Sequence, residues 1–422
     1  MNDLNQINIR FLSLAIVLTI LLPIKIIAQG NVQCNCKENV AFVYEHLKNS
    51  ISYKKQSKNA QKAKLVYQEI AEMLMQDSSR SILDCYTLML HLTSQIEDSH
   101  NEVRTRAYPI EYEDFSDSTS YMSFASSDHF KIYPFYEGDL NVLKSSLERK
   151  QNNEIEGIYW YKNVISIGLV KNGSNYDGYV LESKLPNWRK GELIIRLLPK
   201  TVKRFQLILG HFIDKRLMST TDKFSNGYLM QQNWKKINVK HEDHYKQMFP
   251  KRTYLLSSIN TNTQYLKLGS FSSSNSMIIK AQVFADSIAE ELNAQHLIVD
   301  LRGNTGGGRK NSKYFKALLK KYKGKIYLLT NFRTKSQAER FTYMLSKKRK
   351  VTIMGDQTSG ILAYGRNYGT SHYSEDELFT VSFTDMGGFQ ATKLENKGID
   401  PEISLRFDQD WIEQVLEYLK HQ

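Results

Sequence analysis

Asp300-Leu301-Arg302-Gly303-Asn304-Thr305-Gly306-Gly307-Gly308 and Asn331-Phe332-Arg333-Thr334-Lys335-Ser336-Gln337-Ala338-Glu339 are the two stretches on which the reading of this chain turns. Each follows a short apolar run, Leu297 to Leu301 in the first case and Ile326 to Thr330 in the second, and each leads into a helical pattern. Strand, polar turn and helix in succession are what parallel βα units require. In such sheets, chemistry gathers where strands end and helices begin.

Ala338, Phe341, Met344 and Leu345 are spaced to form one buried helix face, which sets Ser336 at the helix N-terminus. Free N–H groups and the positive end of the helix dipole favour developing negative charge there, so the position suits an alkoxide-like nucleophile and acyl transfer. Ser336 with Glu339 three residues on also spells a capping box, which by itself needs no chemistry. The three glycines Gly306, Gly307 and Gly308 let the backbone turn an N–H towards a bound carbonyl oxygen. A phosphate loop would use similar glycines, but Lys310 falls one place late and the required Ser or Thr is missing.

Together the two turns resemble those of the C-terminal-processing and tricorn-core serine peptidases, which carry an Asp-Leu-Arg-Gly-Asn-x-Gly-Gly turn and a Thr-x-Ser-x-Ala-Glu nucleophile turn. Two further elements match in order. Ile96-Glu97-Asp98-Ser99-His100 is similar to the family's Asp-x-His element, and Glu395-Asn396-Lys397-Gly398-Ile399-Asp400-Pro401-Glu402 to its closing Glu-x-x-Gly-Ile-x-Pro-Asp segment. One branch of the family uses a lysine within a Gly-Lys-Gly turn as its general base; the matching turn here is Thr358-Ser359-Gly360-Ile361-Leu362, with Ile361 at the lysine's place. The resemblance therefore points to the tricorn-like branch.

That resemblance implies an α+β multidomain chain: an N-terminal helical region, a small β-rich module, and a C-terminal α/β peptidase core of crotonase-like ββα type. It implies a serine endopeptidase acting on extended peptides or unfolded segments, without metal or organic cofactor. Ser336 would be the nucleophile and His100 the general base, with Ser99 and Glu395 orienting and polarising the site. A histidine suits the role because its ordinary pKa lies near neutrality. The Gly306 and Gln337 N–H groups would form the oxyanion hole. Lys335 and Gln337 stand where the family carries small residues. A second class thus stays open: a non-catalytic peptide- or envelope-binding pseudo-peptidase in which Ser336 is only an N-cap. A carbohydrate hydrolase with paired carboxylates finds no two acids held together by sequence context.

Arg10 followed by an apolar run from Phe11 to Pro23, resuming at Ile24 and ending near Ala28-Gln29-Gly30, reads as a signal peptide over residues 1–29. Lys25 leaves the run short for a stable membrane span. Export, periplasmic or secreted and bacterial in character, would place Cys34, Cys36 and Cys85 where one disulfide can form and one thiol is left over. The formal charge of +13 falls by one on removing Arg10, Lys25 and Asp3 with the leader, so the mature chain stays basic. The lysines are dispersed, and Lys347-Lys348-Arg349-Lys350 sits at a helix C-terminus where cations suit the dipole, so no nucleic-acid module is read. His241-Glu242-Asp243-His244 has the wrong spacing for a zinc-protease helix and reads as a solvated loop.

Helical patterns run through residues 30–120, where Val40, Val43, Leu47, Leu83, Met89 and Leu90 mark apolar faces. Residues 150–245 turn to strand-rich alternation, with Tyr159-Trp160-Tyr161, Val164-Ile165-Ser166-Ile167 and Tyr179-Val180-Leu181 between Gly and Asn turns. Many family members carry a PDZ module there, but its glycine loop is not recognisable in this stretch. Residues 253–422 supply the core, with strands at Tyr265–Gly269 and Val351–Met354 and a helix over Ile279–Leu292.

Overall fold

The computed structural model describes residues 33–58, 64, 68, 71–72, 75, 79–246, 251–347, 350–366, 369–387, 389 and 391–421; the expected signal segment lies outside them. Among these residues no helix is long and apolar enough to cross a membrane.

The two decisive stretches stand at the ends of neighbouring strands, His296–Asp300 and Lys325–Thr330, in a six-stranded sheet. Thr263–Leu268, His296–Asp300, Lys325–Thr330, Val351–Gly355 and Ile403–Ser404 run parallel in that order. Tyr254–Asn260 is added antiparallel at one edge. Alternate side chains go to opposite faces, as strand geometry demands. Leu297, Val299 and Leu328 pack with Phe315, Leu319, Phe341 and Leu345 of the helices that cover one face. Ile298, Tyr327 and Leu329 pack with Trp411, Ile412 and Val415 of the helix Trp411–Leu419 on the other. Both faces being covered explains the unbroken apolar runs. Truncating a buried anchor such as Phe341 to Ala would cost about 3–5 kcal/mol.

Residues 157–236 close into an eight-stranded antiparallel barrel, so the β-rich module is a barrel with no free sheet edge. Its interior is filled by residues such as Ile165, Ile167, Leu169, Val180, Leu197, Leu207 and Trp234. Arg204, on a barrel strand, reaches into the core loops: its guanidinium donates to the carbonyls of Thr358, Ser359, Asn396 and Lys397 and to Gln357 Oε1. One buried cation thereby ties the barrel to the two loops that carry Gly360–Ile361 and Glu395.

The N-terminal helices Cys36–Asn49 and Ile82–Ser94 pack through Val40, Val43, Leu47, Tyr86 and Met89. Strand Glu102–Thr105 then pairs antiparallel with Phe379–Ser382, more than 270 residues further along. That pairing fixes the segment just before it, which carries His100.

Several expectations are corrected in detail. The helix expected over Ile279–Leu292 spans Asn275–Ser287, because Ser274 caps it by accepting from the Met277 N–H. The strand expected over Tyr265–Gly269 is Thr263–Leu268. Cys34, Cys36 and Cys85 are buried free thiols rather than partners in the disulfide that the sequence allowed.

Candidate active site

The turn that carries Ser336 is stitched to the glycine turn before any chemistry is considered. Thr334 Oγ1 donates to the Leu301 carbonyl (2.9 Å) and accepts the Asn331 N–H (3.1 Å). Asn331 Oδ1 accepts the Gly303 N–H (3.0 Å), and the Lys335 N–H donates to the Asn304 carbonyl (3.0 Å). Ser336 itself has φ 50° and ψ −116°, a sparsely populated conformation for a residue with a side chain. Such a bend between strand and helix lifts a hydroxyl clear of the backbone, as in a nucleophile elbow.

Glu339 is what the strained bend leans on. Its carboxylate is fully buried and takes four donors: the Ser336 N–H (2.9 Å), the Ile361 N–H (2.8 Å), the Gly360 N–H (2.6 Å) and Thr358 Oγ1 (2.6 Å). Burial pushes its pKa upward, and those donors pull it back. The expected capping box is thus present, and the Ser336 hydroxyl has a further partner besides.

That partner is His100: its Nε2 lies 3.1 Å from Ser336 Oγ, across 236 residues of sequence. Burial, with Arg340, Arg366 and Lys335 nearby, lowers the His100 pKa to about 3, so the ring is neutral near pH 7 and open to a proton. Its Nδ1 is buried without a hydrogen-bond partner among the described residues and faces Asp98 Oδ1 at 4.0 Å. Asp98 is held by the His100 N–H (3.0 Å) and Thr384 Oγ1 (2.6 Å).

Ser99 and Glu395 also meet, but through the backbone. Glu395 Oε1 accepts the Ser99 N–H (3.0 Å), whereas the Ser99 hydroxyl donates to Asn396 Oδ1 (2.6 Å). Glu395 Oε2 accepts the Leu362 and Ala363 N–H groups (2.9 and 2.7 Å). Burial raises the Glu395 pKa to about 7. One ring nitrogen of His100 and one carboxylate oxygen each of Asp98 and Glu395 lie within 4.8 Å of one another, the one such cluster among the described residues. A cation would fit only by displacing the donors that already occupy both carboxylates.

Gly306 packs directly against the nucleophile turn: a Cβ there would fall 2.9 Å from the Gln337 nitrogen and 2.7 Å from the Lys335 carbonyl oxygen. Its N–H, expected as an oxyanion donor, is instead given to Asn304 Oδ1 (2.9 Å), because the Asn304 side chain folds back into its own turn. The Gln337 N–H, at the first helical position, has no intrahelical acceptor. Gln337 turns its side chain away, donating to Ser312 Oγ (2.9 Å), so its bulk does not fill the cleft.

The nucleophile turn, the Thr358–Leu362 loop and the closing Glu395 segment all fall inside a stretch, residues 308–405, that matches peptidase family S41. That stretch is similar to the serine-type peptidases of this family. The matched stretch contains Ser336 and Glu395; His100 and the first residues of the glycine turn precede it. No curated protein matches the chain. Solved structures with a related course include a photosystem II D1 C-terminal processing protease (11% identity, 91% of this chain and 97% of that one, TM-score 0.38). A putative peptidase from Parabacteroides merdae aligns at 14% identity over 92% and 97% (TM-score 0.40), and the tricorn protease at 12% over 92% and 36% (TM-score 0.43). All three TM-scores are under one half, so the chemistry rests on this chain's own geometry.

Asp98 and Glu339 are the site residues that sequence reasoning did not assign. Asp98 stood inside the quoted Asp-x-His element, and Glu339 had been read only as a cap.

Proposed function

We propose that the protein is an exported serine endopeptidase that cleaves extended peptides or unfolded segments through Ser336 and His100. The observation that carries this reading is the 3.1 Å approach of His100 Nε2 to Ser336 Oγ, made on a strained bend that a buried carboxylate supports. In the acylation step Ser336 Oγ attacks the scissile carbonyl carbon while its proton passes to His100 Nε2. The Gln337 N–H then receives the oxyanion, and the Gly306 N–H joins it by exchanging Asn304 Oδ1 for the substrate oxygen. His100 returns the proton to the leaving amine, and a water repeats the sequence on the acyl-enzyme. Asp98 and Glu395 stabilise the imidazolium formed in between, with Ser99 holding Glu395 through its backbone N–H. Residues 253–422 would be the crotonase-like peptidase core and residues 1–29 the export signal.

The occupied Gly306 N–H, and a His100 Nδ1 that has no hydrogen-bond partner among the described residues, favour the second reading, a peptide-binding pseudo-peptidase. Hydrolysis of an unstructured peptide library by the purified chain separates the two. The enzyme reading expects cuts that vanish in Ser336→Ala and in His100→Ala, both checked for folding by circular dichroism. Wild type and Ser336→Ala that bind peptides alike and cut nothing would establish the binding protein.

A further inference from the structure

The cavity in front of Ser336 and His100, about 240 Å³, is walled on one side by the barrel. Barrel residues Gln206, Ser219, Thr220 and Thr221 line it, and so do two lysines, Lys200 from a barrel turn and Lys335 from the turn that carries Ser336. Neither ammonium has a hydrogen bond or ion pair among the described residues. The carboxylates that reach the same cavity are both engaged. Asp98 is bonded to the His100 N–H and Thr384, and Glu102 is paired with Arg366 (2.7 Å) and Arg104 (3.8 Å). The cavity therefore holds two ammoniums with no hydrogen bond or direct ion pair among the described residues, beside neutral hydrogen-bonding groups.

Cations held partly out of water without a direct ion pair are costly, and a cleft that keeps two of them suits an anion that would pair with both. We infer that this cavity is a specificity site for an acidic side chain, so that the peptidase prefers substrates with Glu or Asp beside the scissile bond, its carboxylate bridging Lys200 and Lys335. This rests on the peptidase reading of the same site and adds to it the chemical class of substrate. It also gives Lys335, which stands where small residues are usual for the family, a purpose other than obstruction. The Thr221 hydroxyl and the Gln206 amide line the same cavity and can donate to the oxygens of a carboxylate.

Both lysines have their pKa lowered to about 8, by burial in the first place. Lys335 is faced by Asp222 and Glu339, which favour its charge, and by Arg333, which opposes it. Lys200 is faced by Glu395, which favours its charge, and by Arg204, which opposes it. As pH rises through about 8 both ammoniums discharge, and the preference for an acidic residue should fade. The ratio of rates on a Glu peptide and its Gln isostere isolates this change, because proton transfer through His100 acts on both peptides alike.

The test uses paired peptides, Glu against Gln and Asp against Asn, each with a free or an amidated C-terminus, cleaved by the full-length mature chain. The expected result is a kcat/KM ratio of about tenfold or more in favour of the acid, expressed mainly in KM, and independent of amidation. Lys200→Met and Lys335→Met should each shrink the ratio, and Lys200→Glu should turn it towards a lysine peptide. Binding of the same fluorescent peptides to Ser336→Ala gives a readout that needs no turnover. If cleavage is absent yet Ser336→Ala prefers the acidic peptide, the pocket assignment stands and only the enzyme reading falls. Equal cleavage and equal binding of the paired peptides, or a preference that follows the free C-terminus instead, would overturn the inference.

Discussion

Gly306 offers the sharpest mutational probe of the site. Gly306→Ala places a methyl group 2.7 Å from the Lys335 carbonyl oxygen, 2.9 Å from the Gln337 nitrogen and 2.9 Å from Ser336 Cβ, at a backbone φ of +91°. Two of those neighbours are backbone atoms of the nucleophile turn, which cannot swing aside as a side chain tip can. Overpacking of this kind costs about 1–3 kcal/mol, and a left-handed backbone about 1–2 kcal/mol more. The stability loss should therefore be about 2–5 kcal/mol. The larger effect falls on chemistry, since the methyl group occupies the space through which the Gln337 N–H reaches the oxyanion. Losing one such donor lowers kcat by about 10²–10³. Gly303→Ala is the internal control: it shares a positive φ of +72° but has nothing within 4 Å of the added carbon. It should lose about 1–2 kcal/mol and keep its activity. Urea unfolding followed by tryptophan fluorescence gives the stabilities, and peptide hydrolysis normalised to folded protein gives kcat. A folded Gly306→Ala enzyme with kcat within about threefold of wild type would refute the oxyanion geometry.

Three further outcomes follow from named contacts. Glu339→Gln leaves two of four buried donors facing an NH₂ group, a penalty partly offset by removing a buried charge; a net loss of about 1–3 kcal/mol should appear in the urea midpoint, together with lower kcat from the relaxed Ser336 bend. Glu395, with its pKa raised to about 7, is ionised above that pH and protonated below it, so kcat/KM should fall as pH drops through about 7, and Glu395→Gln should flatten that limb. His100, lowered to about 3, should contribute no acid limb near its ordinary pKa of about 6.5. Arg204→Met removes donors from four carbonyls and one amide and should lower the thermal midpoint by at least several degrees, about 3 kcal/mol or more, with activity reduced through the displaced Glu395 loop.

The parts of the site that could be read from sequence are those in which a residue's role follows from its local turn. Ser336 ahead of an amphipathic helix, and Gly306 to Gly308 after an apolar strand, announce themselves in this way, and the four-motif resemblance joined His100 to them. The parts that could not be read depend on long-range register or on rotamers. The barrel closes through the short strands Tyr228–Leu229 and Trp234–Lys236, whose pairing no local periodicity fixes. The edge strand Tyr254–Asn260 is only partly buried and so has a weak alternation signal. That Gly306 gives its N–H to Asn304, and that Ser99 meets Glu395 by its backbone and Asn396 by its hydroxyl, are side-chain choices invisible to spacing. The Arg204 clamp spans more than 150 residues between its ends.

The central claim is that His100 makes Ser336 a nucleophile, and covalent trapping tests it most directly. The purified mature chain is treated at neutral pH with a fluorophosphonate, which reacts only with an activated serine, and the adduct is mapped by peptide mass spectrometry. A single adduct on Ser336, formed far more slowly in folded His100→Ala, is the result expected. An unlabelled Ser336, or labelling that proceeds equally in His100→Ala, would contradict it.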